Sequence, residues 1–454
     1  MSGRSGLRSW LAAAVAAAIL CGLAVVFTSR TEPAPQAVPS STAPSQGRPL
    51  GAITPAVPSV DRDDPFKTDA VTKLLHDRAD AINRRDEQSF LAGLDPTADA
   101  DFVTRQRALF TNLAGVPLDE WSYQLHAEDA LDVSGVAASQ GTDELWAPSV
   151  DLRYALRGAD LVSTTHAMGY LFARRGERWY LRSDTALDGL GRRTWRGPWD
   201  FAPCLVTSTD SGIVLVHPGR EAMAERLTGE LDSSVAAVTA VWGNGWSQRV
   251  ALVLPDNPEE MRALVGPSFP TDSVVAVAVA DRVDTDRHQV SGQRVVLNPD
   301  GSRALSPASL RVVLRHEILH VAARAETVDG APMWLLEGFA DYVGYRDSGI
   351  TVAQGAPDLA DEVRRSGAPP DLPEDKEFRS RGRELDLAYQ QAWSVSRFVA
   401  ERYGENVLLA LYRKLAAAGP VSATMTDDLL RQVLGVDRAG LIAGWRQYLV
   451  QALR

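Results

Sequence analysis

Two histidines four residues apart, His316 and His320, with Glu317 between them in the stretch HEILH, are the residues of this chain best suited to chemistry. On a helix, a spacing of four sets both rings on one face, close enough to hold one ion through neutral imidazole nitrogens. The glutamate, one residue round the helix, can reach a water on that ion and move its proton. Histidine is scarce, seven in 454 residues, which weighs against the plain alternative of a surface helix that happens to carry two of them.

The surrounding sequence supplies the helix. Ser306 and Pro307 suit the N-cap and first turn, and Leu310, Val313, Leu314, Ile318 and Val321 then form an apolar stripe. Two imidazoles leave the set incomplete. The downstream stretch APMWLLEGFADYVGYRD, residues 331 to 347, offers Glu337 and Asp341, again four apart on one face. Pro332 can open that helix, Trp334, Leu335 and Tyr342 pack inward, and Gly338 and Ala340 are small enough for close helix approach. One carboxylate with two imidazoles is a catalytic zinc set with a fourth position for water.

HEILH followed by EGFAD resembles the gluzincin branch of the zincin metallopeptidases, the peptidase MA-like group, with its H-E-x-x-H and downstream E-x-x-x-D. The resemblance implies that His316, His320 and Glu337 are ligands of one zinc ion per chain and that Glu317 is general base and proton shuttle. It implies that Asp341 accepts a hydrogen bond from a ligand histidine and fixes its tautomer. The later stretch LAYQQAWSVSRFVAERYG resembles a helix of the same group whose tyrosine stabilises the oxyanion, and Tyr389 is the candidate, beside the alternative of a packing tyrosine. Sixteen residues separate His320 from Glu337, fewer than in the gluzincin aminopeptidases, and no G-x-M-E-N-type segment is present. An endopeptidase is therefore expected in preference to an aminopeptidase. His288, in a polar loop before the motif, reads as a surface residue.

The rest of the chain sets limits. A net charge of −11, with no block of Lys and Arg, argues against nucleic acid as a partner. The cluster RRGER at 174 to 178 reads as a solvated hairpin turn. Two cysteines, Cys21 and Cys204, make no disulfide framework, and Cys204 reads as a small buried hydrophobe. From Trp10 to Thr28 run 19 uncharged residues, with Arg4 and Arg8 ahead of them. This predicts an uncleaved single-pass anchor in the membrane, its N-terminus cytoplasmic and the later domains extracytoplasmic.

The expected organisation is an anchor over 1–30, a Pro/Ala/Ser-rich linker over 31–62, an α+β accessory domain over 63–200 and a zincin-like metallopeptidase domain over 201–454. The accessory domain places helices first and strands after. It loosely resembles the cystatin-like and nuclear-transport-factor-like folds, and its histidines, His76, His126 and His166, form no catalytic set. The fold class is thus α+β, with an N-terminal transmembrane helix. The second domain reads as a helix near 219–231 and strands at QRVALVLP, SVVAVAVAD and QRVVLN. One of the last two would be the edge strand that aligns an extended peptide. The expected function is zinc-dependent hydrolysis of peptide bonds in exported or cell-surface polypeptides. The alternatives are a catalytically silent, surface-anchored binding or sensory protein on the same fold, and a hydrolase of non-peptide amides. Oligomeric state is not legible.

Overall fold

The computed structural model describes residues 65–453 apart from 138–140, 268, 270, 272 and 273. The expected membrane helix, Trp10 to Thr28, and the linker lie outside the described residues. Among those described, no helix is long and apolar enough to cross a membrane. A bilayer core demands roughly 20 continuous apolar residues. The transmembrane element of the fold class, the membrane contact and the extracytoplasmic placement are accordingly corrected to what the described residues show: an α+β fold with no membrane-crossing helix among them.

Three helices open the described chain. Helix α1 (Pro65–Arg84) buries Val71, Leu75 and Ile82 along one face, as the spacing predicts. Asp86 and Asp99 cap α2 (Glu87–Ala92) and α3 (Ala100–Asn112), each carboxylate accepting from backbone N–H groups of the first turn. They pack on an antiparallel sheet of β1 (Leu118–Leu131), β2 (Glu144–Leu156), β3 (Thr164–Met168), β4 (Leu171–Arg175) and β5 (Arg178–Ser183). The stretch 165–184, whose aromatic residues flank the charged RRGER turn and read from the sequence as one hairpin, is three strands. A Cβ at Gly169 would lie 2.3 Å from the Arg192 carbonyl oxygen, and the strand breaks there. The C-terminal half of β2 pairs with β3 and its N-terminal end with β4. The RRGER turn does join β4 to β5, but Arg175 is not left to solvent: it donates to the buried Asp95 carboxylate at 2.8 Å.

The second sheet has the order β6–β7–β8–β12–β9. It comprises β6 (Leu205–Thr209), β7 (Gly212–Val216), then after α4 (Glu221–Trp242) β8 (Val250–Val253), and after α5 (Pro258–Val265) β9 (Ala276–Val279). A small ribbon, β10 (Arg282–Asp284) with β11 (Gln289–Ser291), leads to β12 (Arg294–Leu297). The hairpin β6–β7 was not anticipated from the sequence. Of the two candidate strands, β9 lies at an edge of the sheet, antiparallel to β12, which lies inside it.

Side chains alternate across this sheet. Val214, Val216, Val250 and Leu252 enter the core formed with α4 and the later helices, while Ile213, Leu215, Ala251 and Val253 join the core of the N-terminal helices and first sheet. The two sheets therefore share apolar packing across this seam. Polar ties reinforce it: Arg294 donates to Asp160 in a two-pronged pair, and the Thr164 hydroxyl donates to Asp281 at 2.6 Å.

The remainder is helical: α6 (Pro307–Ala323), α7 (Met333–Tyr345), α8 (Val352–Gly355), α9 (Pro357–Ser366), α10 (Arg383–Tyr403), α11 (Glu405–Ala418), α12 (Ala423–Leu434) and α13 (Arg438–Ala452).

Candidate metal centre

Helix α6 starts as its sequence predicts, with the Ser306 hydroxyl accepting from the Ser309 N–H at 3.1 Å and Pro307 in the first turn. From Val312 onward it is buried on nearly every side, His316, Glu317 and His320 included. A surface helix with incidental histidines would show a polar, solvated face, and α6 shows none there. Helix α7 follows Pro332, and its Met333 N–H donates to the Asp375 carboxylate at 3.0 Å. Its glycine matters: a Cβ at Gly338 would stand 2.2 Å from the Ala392 carbonyl oxygen, so only glycine lets α10 press α7 toward α6.

That packing brings the polar groups together. His316 Nε2 and His320 Nε2 are 3.0 Å apart, and Glu337 Oε2 lies 3.3 Å from the first and 3.7 Å from the second. One ligand atom from each of the three residues lies within 4.8 Å of the others, a cluster able to coordinate a metal ion. His316 Nδ1–H donates to Asp341 Oδ1 at 2.8 Å, which leaves the Nε2 lone pair facing the other two groups. Both Glu337 oxygens are buried and neither is held by a hydrogen bond. A buried carboxylate without donors is costly, and a cation among these three groups removes that cost.

The electrostatics agree. Burial would raise the Glu337 carboxyl, but His320 and His316 outweigh it and hold it at about 2. Burial would lower the His316 imidazole, but the Asp341 and Glu337 carboxylates push it well above its ordinary value. Burial raises Asp341. The pocket thus favours a positive charge between its carboxylates, whether a proton on His316 or a metal ion.

A cleft opens beside His320, walled by Ala278, Val279 and Ala280 at the end of edge strand β9, by Leu336, and by Arg324 and Tyr412. The Tyr412 hydroxyl lies 3.2 Å from that of Thr327, and its ring packs on Phe339 at 5.0 Å. Neither Arg324 nor Tyr412 was singled out from the sequence, although Arg324 continues the i, i+4 series of His316 and His320. Tyr389 is buried against the Phe378 ring, 5.3 Å between centroids, and is not among the residues walling this cleft. His288 is exposed and His166 lies in the seam, stacked on Trp195 at 3.8 Å, so neither joins the cluster. Cys204 is buried, and burial raises its thiol far above the usual range.

No family model matches the chain, and no curated protein sequence matches it. Solved structures do. An M1 zinc metallopeptidase mutant of Deinococcus radiodurans bound to the substrate Tyr-Ser-Ala is 17% identical, with 52% of this chain and 47% of that one covered and a TM-score of 0.33. A two-domain M1 zinc metallopeptidase mutant bound to L-tryptophan is 16% identical over 52% and 48% of the two chains, with a TM-score of 0.34. Another such mutant, bound to L-arginine, is 13% identical over 74% and 94%, with a TM-score of 0.32. The match thus spans about half the length of the first two. The expected standing as a membrane-anchored gluzincin of the peptidase MA-like group is corrected to this distant likeness to M1 metallopeptidases. The preference for an endopeptidase over an aminopeptidase is corrected as well: nothing in these comparisons supports it, and it is withdrawn.

Proposed function

We propose that the chain is a zinc-dependent peptidase in which His316, His320 and Glu337 hold the ion and Glu317 is the general base. The observation that carries this reading is the buried convergence of two imidazoles and a carboxylate without hydrogen-bond donors, with Asp341 orienting one imidazole. When bound, zinc supplies Lewis acidity, acidifying water and polarising a carbonyl. Glu317, between the two histidines on the same helix, takes the proton of the attacking water and returns it to the leaving amine. Edge strand β9 aligns the substrate backbone by main-chain hydrogen bonds. Asp341 keeps the His316 proton on Nδ1; Tyr389, on the helix packed against that of Glu337 but outside the walls of the cleft, is the proposed donor to the developing oxyanion, a role that falls to Tyr412 if Tyr389 does not reach it.

The test is elemental analysis of the dialysed protein beside Glu317→Gln and His320→Ala variants, followed by peptide hydrolysis. About one zinc per chain in the wild type and in Glu317→Gln, with none in His320→Ala, is expected. Glu317→Gln then lowers kcat/KM by roughly three orders of magnitude. Full activity in Glu317→Gln, or no zinc in folded wild type after zinc is supplied, sinks the reading.

A further inference from the structure

The cleft beside His320 has an asymmetric chemistry. Two of its walls are apolar, formed by Ala278, Val279 and Leu336. Its polar lining includes Tyr412, whose hydroxyl is tied to that of Thr327. Among the described residues that wall it, Arg324 is the one side chain with a permanent charge. Arg324 stands four residues after His320, just past the end of α6, so it follows the metal-facing stripe of that helix by one further turn. Burial pushes its guanidinium below the ordinary value, while the exposed Asp329 and the Tyr412 hydroxyl act on it in the opposite direction. A guanidinium partly stripped of water gains more from a new carboxylate than a solvated one would.

We infer that Arg324 sets substrate specificity by receiving a carboxylate carried by the substrate next to the bond that is cleaved. This rests on the peptidase reading above, and it adds the substrate class. The backbone of a peptide laid along β9 passes Ala278 to Ala280, small residues that leave room for a side chain or chain end to turn into the cleft. The planar guanidinium fork matches a carboxylate in two-pronged fashion, and the apolar walls exclude water that would weaken the pair. The carboxylate belongs either to an Asp or Glu side chain or to a free C-terminus. Both have the same chemistry toward Arg324.

Binding measured by calorimetry on the zinc-loaded Glu317→Gln protein separates this inference from hydrolysis itself. Three peptides of one length serve as probes: a neutral one with an amidated C-terminus, its Glu-containing amidated counterpart, and the neutral one with a free C-terminus. At least one carboxylate-bearing peptide binds about ten- to a hundredfold more tightly than the neutral amide, and which one does so identifies the source. Adding Arg324→Met abolishes that ratio and leaves the neutral amide within about threefold, whereas Arg324→Lys keeps part of it. Equal binding of all three, or a ratio that survives Arg324→Met, overturns the inference even if the wild type cleaves peptides. Failure of the wild type to cleave any peptide while the Arg324-dependent ratio holds overturns the peptidase reading and leaves the carboxylate site standing. A purely structural role for Arg324 at the end of α6 lowers the thermal midpoint of Arg324→Met and Arg324→Lys alike without touching the ratio. That outcome also counts against the inference.

Discussion

Among the described residues, two of the fully buried carboxylates, Asp184 and Glu337, are treated in opposite ways. Asp184, beneath the first sheet, accepts from Gln106 at 3.0 Å, Arg196 at 2.8 Å and Arg105 at 3.3 Å. Glu337, between α6 and α7, has no hydrogen bond to either oxygen and faces two imidazole nitrogens instead. A buried charge normally persists only when its surroundings satisfy it. Asp184 meets that rule with protein groups alone, so it belongs to the scaffold. Glu337 has only those two imidazoles beside it, and a proton or a metal ion must supply the positive charge there. The contrast separates a carboxylate tied into the fold from one in a cluster able to coordinate a metal ion.

Substitution breaks the comparison most directly. Asp184→Ala leaves Arg196 and its neighbours without their acceptor, and unfolding by denaturant is expected to cost about 3–5 kcal/mol, whatever the zinc concentration. Glu337→Gln is expected to leave the stability of the zinc-free protein within about 1 kcal/mol while abolishing stoichiometric zinc. Equal losses of stability in the two variants would show that Glu337 is scaffold as well. Asp341→Asn, next in size, keeps the shape beside His316 but removes the carboxylate that orients it. Zinc affinity falls by about 10–100-fold, read by competition with a chelator. Tyr389→Phe is expected to lower kcat by about tenfold with KM unchanged. No change, alongside a loss in Tyr412→Phe, would shift the oxyanion role to the tyrosine that walls the cleft.

The smallest effect is a pH dependence in a third buried pair, where the protein again satisfies its own charges. His217 Nε2 lies 2.7 Å from the Glu260 carboxylate, and its Nδ1 lies 2.9 Å from the Pro203 carbonyl oxygen. Burial would lower its pKa, but Glu260 outweighs burial and raises it above the ordinary 6.5. A raised folded-state value means that the stabilisation is fully present below pH 6.5 and is lost as pH rises through the folded-state value. The difference in thermal midpoint between wild type and His217→Gln is therefore expected to shrink between neutral and alkaline pH. A difference that grows with pH would contradict this.

Much of the site was legible because its information is local. HEILH places two rings on one helix face by periodicity alone, Ser306 and Pro307 mark where that helix starts, and the Glu337–Asp341 spacing repeats the pattern on the next helix. Elements whose definition is not local were harder to read. The β6–β7 hairpin consists of two short strands at the boundary between the halves, and one of them, LVTST, is largely exposed. Its partner GIVLV is buried on both faces, so no alternation marked it as a strand. The break at Gly169 depends on a backbone pressed against it from Arg192, which pattern along the chain does not encode.

By itself the sequence determined the residue types and the helical registers that set His316 with His320 on one face, Glu337 with Asp341 on another, and Glu317 one residue round from the histidines, because side-chain direction on a helix follows from residue number. The tertiary structure decided everything that needs two elements to meet. It made β9 the edge strand, seated the N-terminal helices and first sheet against the far face of the second sheet, and left Glu337 without donors. It placed Arg324 and Tyr412, from different helical segments, in one cleft beside His320. Those outcomes depend on how helices and strands close against one another. Close-packed interiors fix such distances through the shapes of many side chains at once, not through the spacing of a few.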